Sequence, residues 1–405
     1  MKEKWDLKNI QRLLFLLGNP QDNFKTINVG GSNGKGSVTA MIAACLAEAG
    51  HRTGSYYSPH VDGFRERIQV DGKKISKRDA AAAFAAVRPL VPSFASDPLS
   101  FFEVVTAMAL LHFSHKKVDY AVLEAGLGGR LDATNIGRQS ACVITNVSLE
   151  HTQMLGNTIA SIAREKAALL HRNSALFTLE KNPSALSALR AACGRTGSKL
   201  FLVNPEIEDN SRSFFSPHYA ISTSRTTYKI SPHLLGAHQA YNAALAIAVC
   251  EHLGLSKRAI ERGINNAFVP ARIEVMRKRP LILHDCAHNP AAAGVLAGAV
   301  KQIPHEKCIT LLGVMADKDA EGVLRALAPV TDVFVCNQPS VERAMNANVL
   351  AGIARKLKPT HIVRDVRSSM RKALSLADKN DLILCTGSIY MLGELRGKND
   401  LPVAQ

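Results

Sequence analysis

Two α/β units in series are what this sequence predicts, and three observations carry the prediction. Short apolar, β-rich runs alternate with Ala-rich helical patterns, the mark of parallel strands joined by crossover helices. A glycine-rich segment, Gly30-Gly31-Ser32-Asn33-Gly34-Lys35-Gly36-Ser37, joins the first such strand to the first such helix. The alternation gives way to a Ser/Thr-rich stretch after residue 206 and restarts near Pro280. The first unit is therefore expected to be doubly wound, of P-loop type, with a small antiparallel edge. The second is expected to be a Rossmann-like α/β domain. The boundaries fall at 1–270 and 281–405, with a linker at 271–280 where Pro and basic residues cluster.

In chain order, residues 26–30 read as a strand and 35–49 as an Ala-rich helix. A helix is expected over 101–114. Residues 120–124 and 142–147 are continuous apolar runs bounded by Gly or polar residues, which fits buried parallel strands. Residues 158–171 read as a helix. The stretch 206–232 is rich in Ser and Thr, holds aromatics and lacks helical periodicity, so antiparallel hairpins are expected there. Helical pattern returns over 237–253. In the second unit, strands are expected at 281–285, 308–314, 332–337, 361–365 and 382–386, with helices between them. The sequence contains no internal repeat and no low-complexity tract.

Composition narrows the partners. The chain has 405 residues, 46% of them apolar and 21% charged, ordinary values for a soluble globular protein of two or three domains. The net charge of +16 favours anionic partners. Aromatic content is only 5% and no run of five like charges occurs, so a base-stacking nucleic-acid surface is not expected. Eight cysteines lie scattered without a C-x-x-C pair, several inside apolar runs, as free thiols of a reducing cytoplasm do. Residues 1–9 are charged and lack the apolar core of a signal peptide, and no apolar stretch is long enough to span a bilayer. A cytoplasmic monomer without membrane contact is expected.

The glycine-rich loop carries the first chemistry. Glycines let the backbone fold tightly, so that its N–H groups converge on phosphate oxygens, and the helix N-terminus adds positive potential. Lys35 can neutralise β/γ-phosphate charge, and Ser37 can reach a phosphate or a metal shell. The strict pattern G-x-x-x-x-G-K-[ST] fails: Val29 stands at its first Gly, and Gly36 follows the lysine directly.

The variant G-[TS]-N-G-K-G-[ST] that this loop fits instead resembles the nucleotide loop of the folylpolyglutamate synthase/dihydrofolate synthase family of Mur ligases. Further segments extend the resemblance. Tyr57-Ser58-Pro59-His60, followed by Glu66-Arg67-Ile68, is similar to that family's S-P-H loop, and Ser100-Phe101-Phe102-Glu103 to its T-x-F-E segment. The run Leu123-Glu124-Ala125-Gly126-Leu127-Gly128-Gly129-Arg130-Leu131-Asp132-Ala133-Thr134-Asn135 is the most specific match. Glu150-His151-Thr152 resembles D-H-T with Glu for Asp, and Arg164-Glu165-Lys166-Ala167 matches R-E-K-A. Tyr241-Asn242-Ala243-Ala244, Pro270-Ala271-Arg272, Asp285-Cys286-Ala287-His288-Asn289-Pro290 and Thr386-Gly387-Ser388 complete the set. Residues 5–10 depart from the family pattern, which usually reads G-L-E-R-[IV] there.

The resemblance implies an ATP-dependent ligase that joins L-glutamate to dihydropteroate or a reduced folate through an acyl phosphate. It implies a nucleotide site of Ser32, Asn33, Gly34, Lys35, Gly36, Ser37, Asn242 at the adenine, Arg272 at the phosphates and Asp285 at the ribose. Ser100, Phe101, Phe102, Glu103, Leu131 and Ser388 would bind substrate. Glu124 ends an apolar strand, where a buried carboxylate needs a partner such as Mg²⁺. Ser58 and His151 would extend the metal shell. Lys166 would be carbamylated and hold a second Mg²⁺, and Lys35, Lys166 and His288 would act in catalysis. Taken singly, Asp285 and Ser388 are equally well explained as capping residues at strand-to-helix turns. Two rivals remain: a Mur-type ligase for another carboxylate, and a non-catalytic nucleotide-binding protein.

Overall fold

The computed structural model describes residues 6–397 and contains three sheets. The first has eight strands: β1 (Lys25–Gly30), β2 (Thr53–Tyr56), β3 (Ile68–Val70), β4 (Lys73–Lys74), β5 (Tyr120–Glu124), β6 (Arg138–Ile144), β7 (Ala175–Thr178) and β8 (Lys199–Leu202), in the order β4-β3-β2-β5-β1-β6-β7-β8. Its six strands from β2 to β8 are parallel, and β3 and β4 add an antiparallel edge. Helices α1 (Lys8–Leu16), α2 (Lys35–Glu48), α3 (Lys77–Val87), α4 (Phe101–His115), α5 (Thr152–Leu155), α6 (Ile159–Ala167) and α7 (Pro183–Thr196) belong to this unit.

The Ser/Thr-rich stretch forms a separate three-stranded antiparallel sheet: β9 (Glu206–Asp209), β10 (Tyr219–Ser222) and β11 (Thr227–Ile230). It is not the edge of the main sheet that the sequence suggested. Its inward residues Tyr219, Ile221, Tyr228 and Ile230 alternate with half-buried or exposed ones and join the core around α2. Helices α8 (His238–His252) and α9 (Lys257–Asn266) follow.

The third sheet runs β12-β13-β17-β14-β15-β16, from β12 (Glu274–Lys278), β13 (Leu281–His284), β14 (Cys308–Leu312), β15 (Val333–Cys336), β16 (Thr360–Ile362) and β17 (Leu382–Thr386). Helices α10 (Pro290–Val300), α11 (Ala320–Leu327), α12 (Ala347–Ala354), α13 (Val366–Leu376) and α14 (Ile389–Arg396) cover its faces. Part of the segment read as a linker is thus an edge strand: β12 pairs antiparallel with β13. Other boundaries differ for local reasons. The strand read at 142–147 begins at Arg138, where β6 aligns with Lys25 of β1. The helix read at 158–171 ends at Ala167. The strand read at 361–365 is Thr360–Ile362, because Asp365 caps α13 by accepting the Ser368 N–H.

Helix α2 sets the position of the glycine-rich loop. It is apolar around most of its circumference and largely buried, against β5, α8 and α9. The packing on α9 is tight because position 263 carries no side chain. A Cβ on Gly263 would lie 2.4 Å from the backbone N and Cα of Cys45. Gly263→Ala is therefore expected to destabilise the chain by about 1–3 kcal/mol, because the clash is with backbone and cannot be relieved by a rotamer change. Urea unfolding measures this, and a variant as stable as the parent would contradict the α2–α9 contact.

Candidate functional site

The strand–loop–helix unit places the loop at the carboxyl end of the first sheet, where α/β folds bind ligands. Gly31 (φ +134°) lies against Thr145, and Gly34 (φ +84°) lies against the Asn242 side chain. A Cβ on Gly31 would stand 1.9 Å from Thr145 Oγ1, and one on Gly34 would stand 2.6 Å from Asn242 Oδ1. Gly34 caps α2 without a side-chain bond, so the first-turn N–H groups stay available to an anion. Lys35 folds back, its Nζ donating to Gly31 O (3.0 Å) and Ser32 O (3.2 Å). Asn33 is fixed by Asn146 and Thr145 below it and by Asn289 Nδ2, which reaches Asn33 Oδ1 across from the second unit (3.1 Å). Asn242 Nδ2 donates to Gln239 Oε1 (2.9 Å), which orients the amide that meets Gly34.

Glu124 ends β5 and is buried, with Oε2 accepting the Ser58 N–H at 3.1 Å. Burial pushes its pKa up, and Lys35, the Ser58 N–H and Arg272 oppose that. Position 36 sits directly over it: a Cβ there would be 3.5 Å from Glu124 Oε2. The next residue, Ser37, has a buried hydroxyl without a partner. An orphaned hydroxyl on the residue after the one that overlies a buried carboxylate, at a phosphate-ready helix start, fits a hard divalent cation that retains water and phosphate ligands.

The other expected metal ligands are differently engaged. Among the described residues no three of His, Cys, Asp and Glu converge on one point. Lys166 is buried, its Nζ donating to Glu150 Oε1 (2.7 Å) and Gly31 O (2.9 Å). Burial works against charge on Glu150, but Lys166 and Lys35 outweigh it and hold the carboxyl at about 2. Burial pushes Lys166 down while Glu150 pushes it up. His151, in a left-handed conformation (φ +46°), meets Lys318 Nζ of the second unit at 3.1 Å. Burial and then Lys318 lower its pKa. His288 Nδ1 lies 3.0 Å from Cys286 O, and burial holds the ring's pKa at about 4, with Lys318 and Lys35 pulling the same way.

Between the two units, Arg272 sits on a strained turn. Ala271 (φ +56°) and Ile273 (φ +48°) flank it in the left-handed region, which non-glycine residues rarely occupy. Two carboxylates hold the turn: Glu274 Oε2 accepts the Ala271 N–H (2.7 Å), and Asp285 Oδ2 accepts the Ile273 N–H (2.9 Å). Asp285 Oδ1 takes the Ala287 N–H, so both of its oxygens serve the turn here. Arg272 Nη1 touches Cys286 Sγ.

The expected substrate residues have local structural duties. Ser100 and Glu103 form a reciprocal capping box at the start of α4. Phe101 is exposed, with the Arg67 guanidinium 5.4 Å from its ring centroid, while Phe102 packs on Gly126 and Tyr56. Leu131 is half-buried in the turn after Gly129, and Ser388 caps α14 through the Tyr390 N–H. Of the divergent N-terminal segment, Trp5 lies outside the described residues. Asn9 is buried and bonds Asp97, and Ile10 enters the core. Sequence reasoning did not assign a role to Gln239 or Lys318. Lys318 follows β14 in an Asp-Lys-Asp turn, and that position at a strand's carboxyl end was the available signal.

Comparison with known proteins gives concordant matches. Residues 29–250 match the Mur ligase middle domain, and residues 271–389 the Mur ligase, glutamate ligase domain. A Haloferax volcanii relative named "Probable bifunctional folylpolyglutamate synthase/dihydropteroate synthase" is 36% identical over 406 residues, covering 96% of this chain. The chain spans about half the length of such haloarchaeal relatives, 48% in each case. A Mycobacterium tuberculosis folylpolyglutamate synthase complexed with ADP and AMPPCP is similar with a TM-score of 0.91 and 34% identity, over 97% of this chain and 95% of that one. A bifunctional folylpolyglutamate synthase/dihydrofolate synthase from Yersinia pestis, complexed with AMPPNP and Mn ion, gives 0.86 and 29%, over 97% and 93%.

The buried ion pair yields a stability test. Lys166→Met strands the Glu150 carboxylate and is expected to cost about 3–5 kcal/mol in urea unfolding, most of it regained by adding Glu150→Gln. Equal losses in the single and double variants would refute the coupling. The folded pKa of Glu150 lies below its ordinary 4.5, so its contribution is present above that value and lost as pH falls toward about 2. Glu150→Gln should flatten that part of the acid-unfolding curve.

Proposed function

Because the chain belongs to the folylpolyglutamate synthase/dihydrofolate synthase family of Mur ligases, we propose that it is an ATP-dependent ligase joining L-glutamate to a folate-type carboxylate. One observation supports this most: the glycine-rich loop, Glu124 and the Arg272 turn converge between the two units, and Asn289 and Lys318 reach across to Asn33 and His151. ATP in that crevice would lie with its phosphates on the α2 N-terminus and its base toward Asn242.

The reaction follows from the groups in place. An acceptor carboxylate oxygen attacks the γ-phosphorus, the bond to the β,γ-bridging oxygen breaks, and ADP leaves with that electron pair. Lys35, released from the Gly31 and Ser32 carbonyls, neutralises the phosphoryl charge together with Arg272. Glu124 and Ser37 would hold a divalent cation, which supplies charge neutralisation at the phosphate oxygens. The glutamate amine then attacks the acyl carbon, the C–O bond to phosphate breaks, and inorganic phosphate departs. His288 suits the proton step: with Nδ1–H directed at Cys286 O, its neutral Nε2 can accept the amine proton. Closure of the two units keeps water from the acyl phosphate.

The proposal includes a carbamate on Lys166 as ligand of a second ion. Its formation requires the ammonium to leave Glu150 and lose its charge, a change that burial favours and the ion pair resists. Carbon-13-labelled bicarbonate should give a carbamate resonance in the parent protein and none in Lys166→Arg; its absence from the parent would remove the carbamate. A cytoplasmic monomer belongs to the same reading; seven of the eight cysteines are buried and all are free, which a reducing compartment favours.

Dihydropteroate is the acceptor to test first, since the haloarchaeal relatives' name joins this activity to a dihydropteroate synthase. ATP use should couple to amide formation with dihydropteroate, with a reduced folate, or with both, and only when L-glutamate is present. Coupling to neither acceptor would refute the folate assignment. Lys35→Ala should lose at least about 100-fold in turnover with its circular dichroism unchanged, because a phosphate-facing charge is lost and no core is disturbed. Ligation near the parent rate would refute the nucleotide-loop role.

A further inference from the structure

The loop that supports Glu124 is held from the other unit. Ser58 gives its N–H to Glu124, and four residues later Asp62 Oδ1 accepts from Arg396 Nη1 at 3.1 Å. Arg396 ends α14, the helix that Ser388 begins. Its Nη2 meets Glu274 of β12, and also Met276 Sδ at 3.6 Å. The side chain is only 9% exposed, and its buried Nε lacks a partner. Val61, between Ser58 and Asp62, is buried in the same apolar cluster as Ile282, Met391 and Leu392 of the second unit. The fit is close, since a Cβ on Gly393 would lie 2.7 Å from Val61 O. On its own side the loop is braced by Glu66, whose carboxylate accepts the Val61 and Asp62 N–H groups (3.0 Å for Asp62).

From this chain of contacts we infer that Arg396 is a positioning residue of the ligase. It ties residues 58–67 to the second unit and so fixes the Ser58 N–H on Glu124 at the nucleotide loop. The inference rests on the proposed ligase reading for its activity readouts. Its physical basis is independent of that reading. Arg396 joins three segments at once: the Asp62 loop, β12 beside the strained Arg272 turn, and the helix started by Ser388. Glu274 is shared, since its Oε2 accepts both from Arg396 and from the Ala271 N–H. Loss of the guanidinium therefore loosens the Glu124 support and the Arg272 turn together. A largely buried arginine between two carboxylates cannot be replaced by an apolar side chain without leaving both anions short of a partner. A lysine keeps the charge and loses the fork that spans Asp62 and Glu274.

The test compares Arg396→Met, Arg396→Lys, Gly393→Val and Asp62→Asn in the full chain. Trypsin cleavage after Arg65 and Arg67 reports the loop without reference to activity. Steady-state ligation with dihydropteroate, ATP and L-glutamate reports the reaction, and thermal unfolding reports the fold. Arg396→Met is expected to speed cleavage at those two sites about fivefold or more, because local opening rises as the tether is lost. It should lower kcat about tenfold or more, with KM for ATP within about twofold, because a misplaced group penalises the transition state more than ground-state binding. Arg396→Lys should recover part of both. Arg396→Met combined with Asp62→Asn should be no worse than Arg396→Met, since Asp62 acts through the same tether. Gly393→Val, which leaves the guanidinium in place and separates the surfaces, should reproduce the cleavage and kcat changes, and it decides the matter if Arg396→Met does not fold. Unchanged cleavage and unchanged kcat in folded variants would overturn the inference. Parent protein that fails to ligate would refute the ligase reading instead, and the cleavage rates would still judge the tether.

Discussion

Charge is buried around residues 31–36, and an isolated buried charge is too costly for a folded chain to keep. Lys166 and Glu124 are buried and Glu150 nearly so, all three feel the charge of Lys35, and Arg272 joins them from the inter-unit turn. Each is offset by another: Lys166 by Glu150, Glu124 by the Ser58 N–H and by nearby cations. Lys35 and Lys166 both donate to Gly31 O, so a single loop carbonyl binds two ammonium groups. Phosphate oxygens would be better partners for at least one of them. The arrangement thus explains in one step why the loop needs glycine backbone, why β5 ends in a carboxylate, and why an anionic ligand belongs there.

The inter-unit turn has the same character on a smaller scale. Two non-glycine residues in the left-handed region would relax if left alone. Asp285 and Glu274 each hold one of their N–H groups, and Arg272 is thereby presented to the crevice. Asp285 thus has a structural duty at the site where a ribose contact was expected, and the two roles compete for the same oxygens. Ser100, Glu103 and Ser388 show a related economy: each caps a helix whose N-terminus faces the crevice side of its sheet. A capping hydroxyl at such a position satisfies the helix and stands at the positive end of its dipole.

Closure of the two units is written into polar contacts that are few and specific. Asn33 meets Asn289, His151 meets Lys318, and Asp62 meets Arg396. Polar contacts of this kind can break and reform at little cost, as the proposed opening and closing of the two units requires. Apolar contacts join them: Val61 is buried in one cluster of the second unit, and Leu235 in the other.

The alternation of apolar runs and Ala-rich helices was enough to predict two α/β units, because parallel strands buried on both faces impose that pattern on the sequence itself. The loop from Gly30 to Ser37, the carboxylate closing β5 and the segment 285–290 were legible for a similar reason: each is local, and its chemistry needs particular residue types at fixed spacing. The separate sheet formed by 206–230, the strand within 274–278, and the partners of the polar groups were decided only by tertiary structure. Lys166 could be read as a helix lysine; that it lies against Glu150 depends on α6 crossing the loop after β6. Lys318 and Arg396 reach His151 and Asp62 from residues 167 and 334 positions away along the chain. No spacing rule links residues so far apart. Their pairing is fixed by how two independently patterned sheets pack, and for Arg396 and Asp62 the cost of leaving their charges unpaired keeps the pair in register.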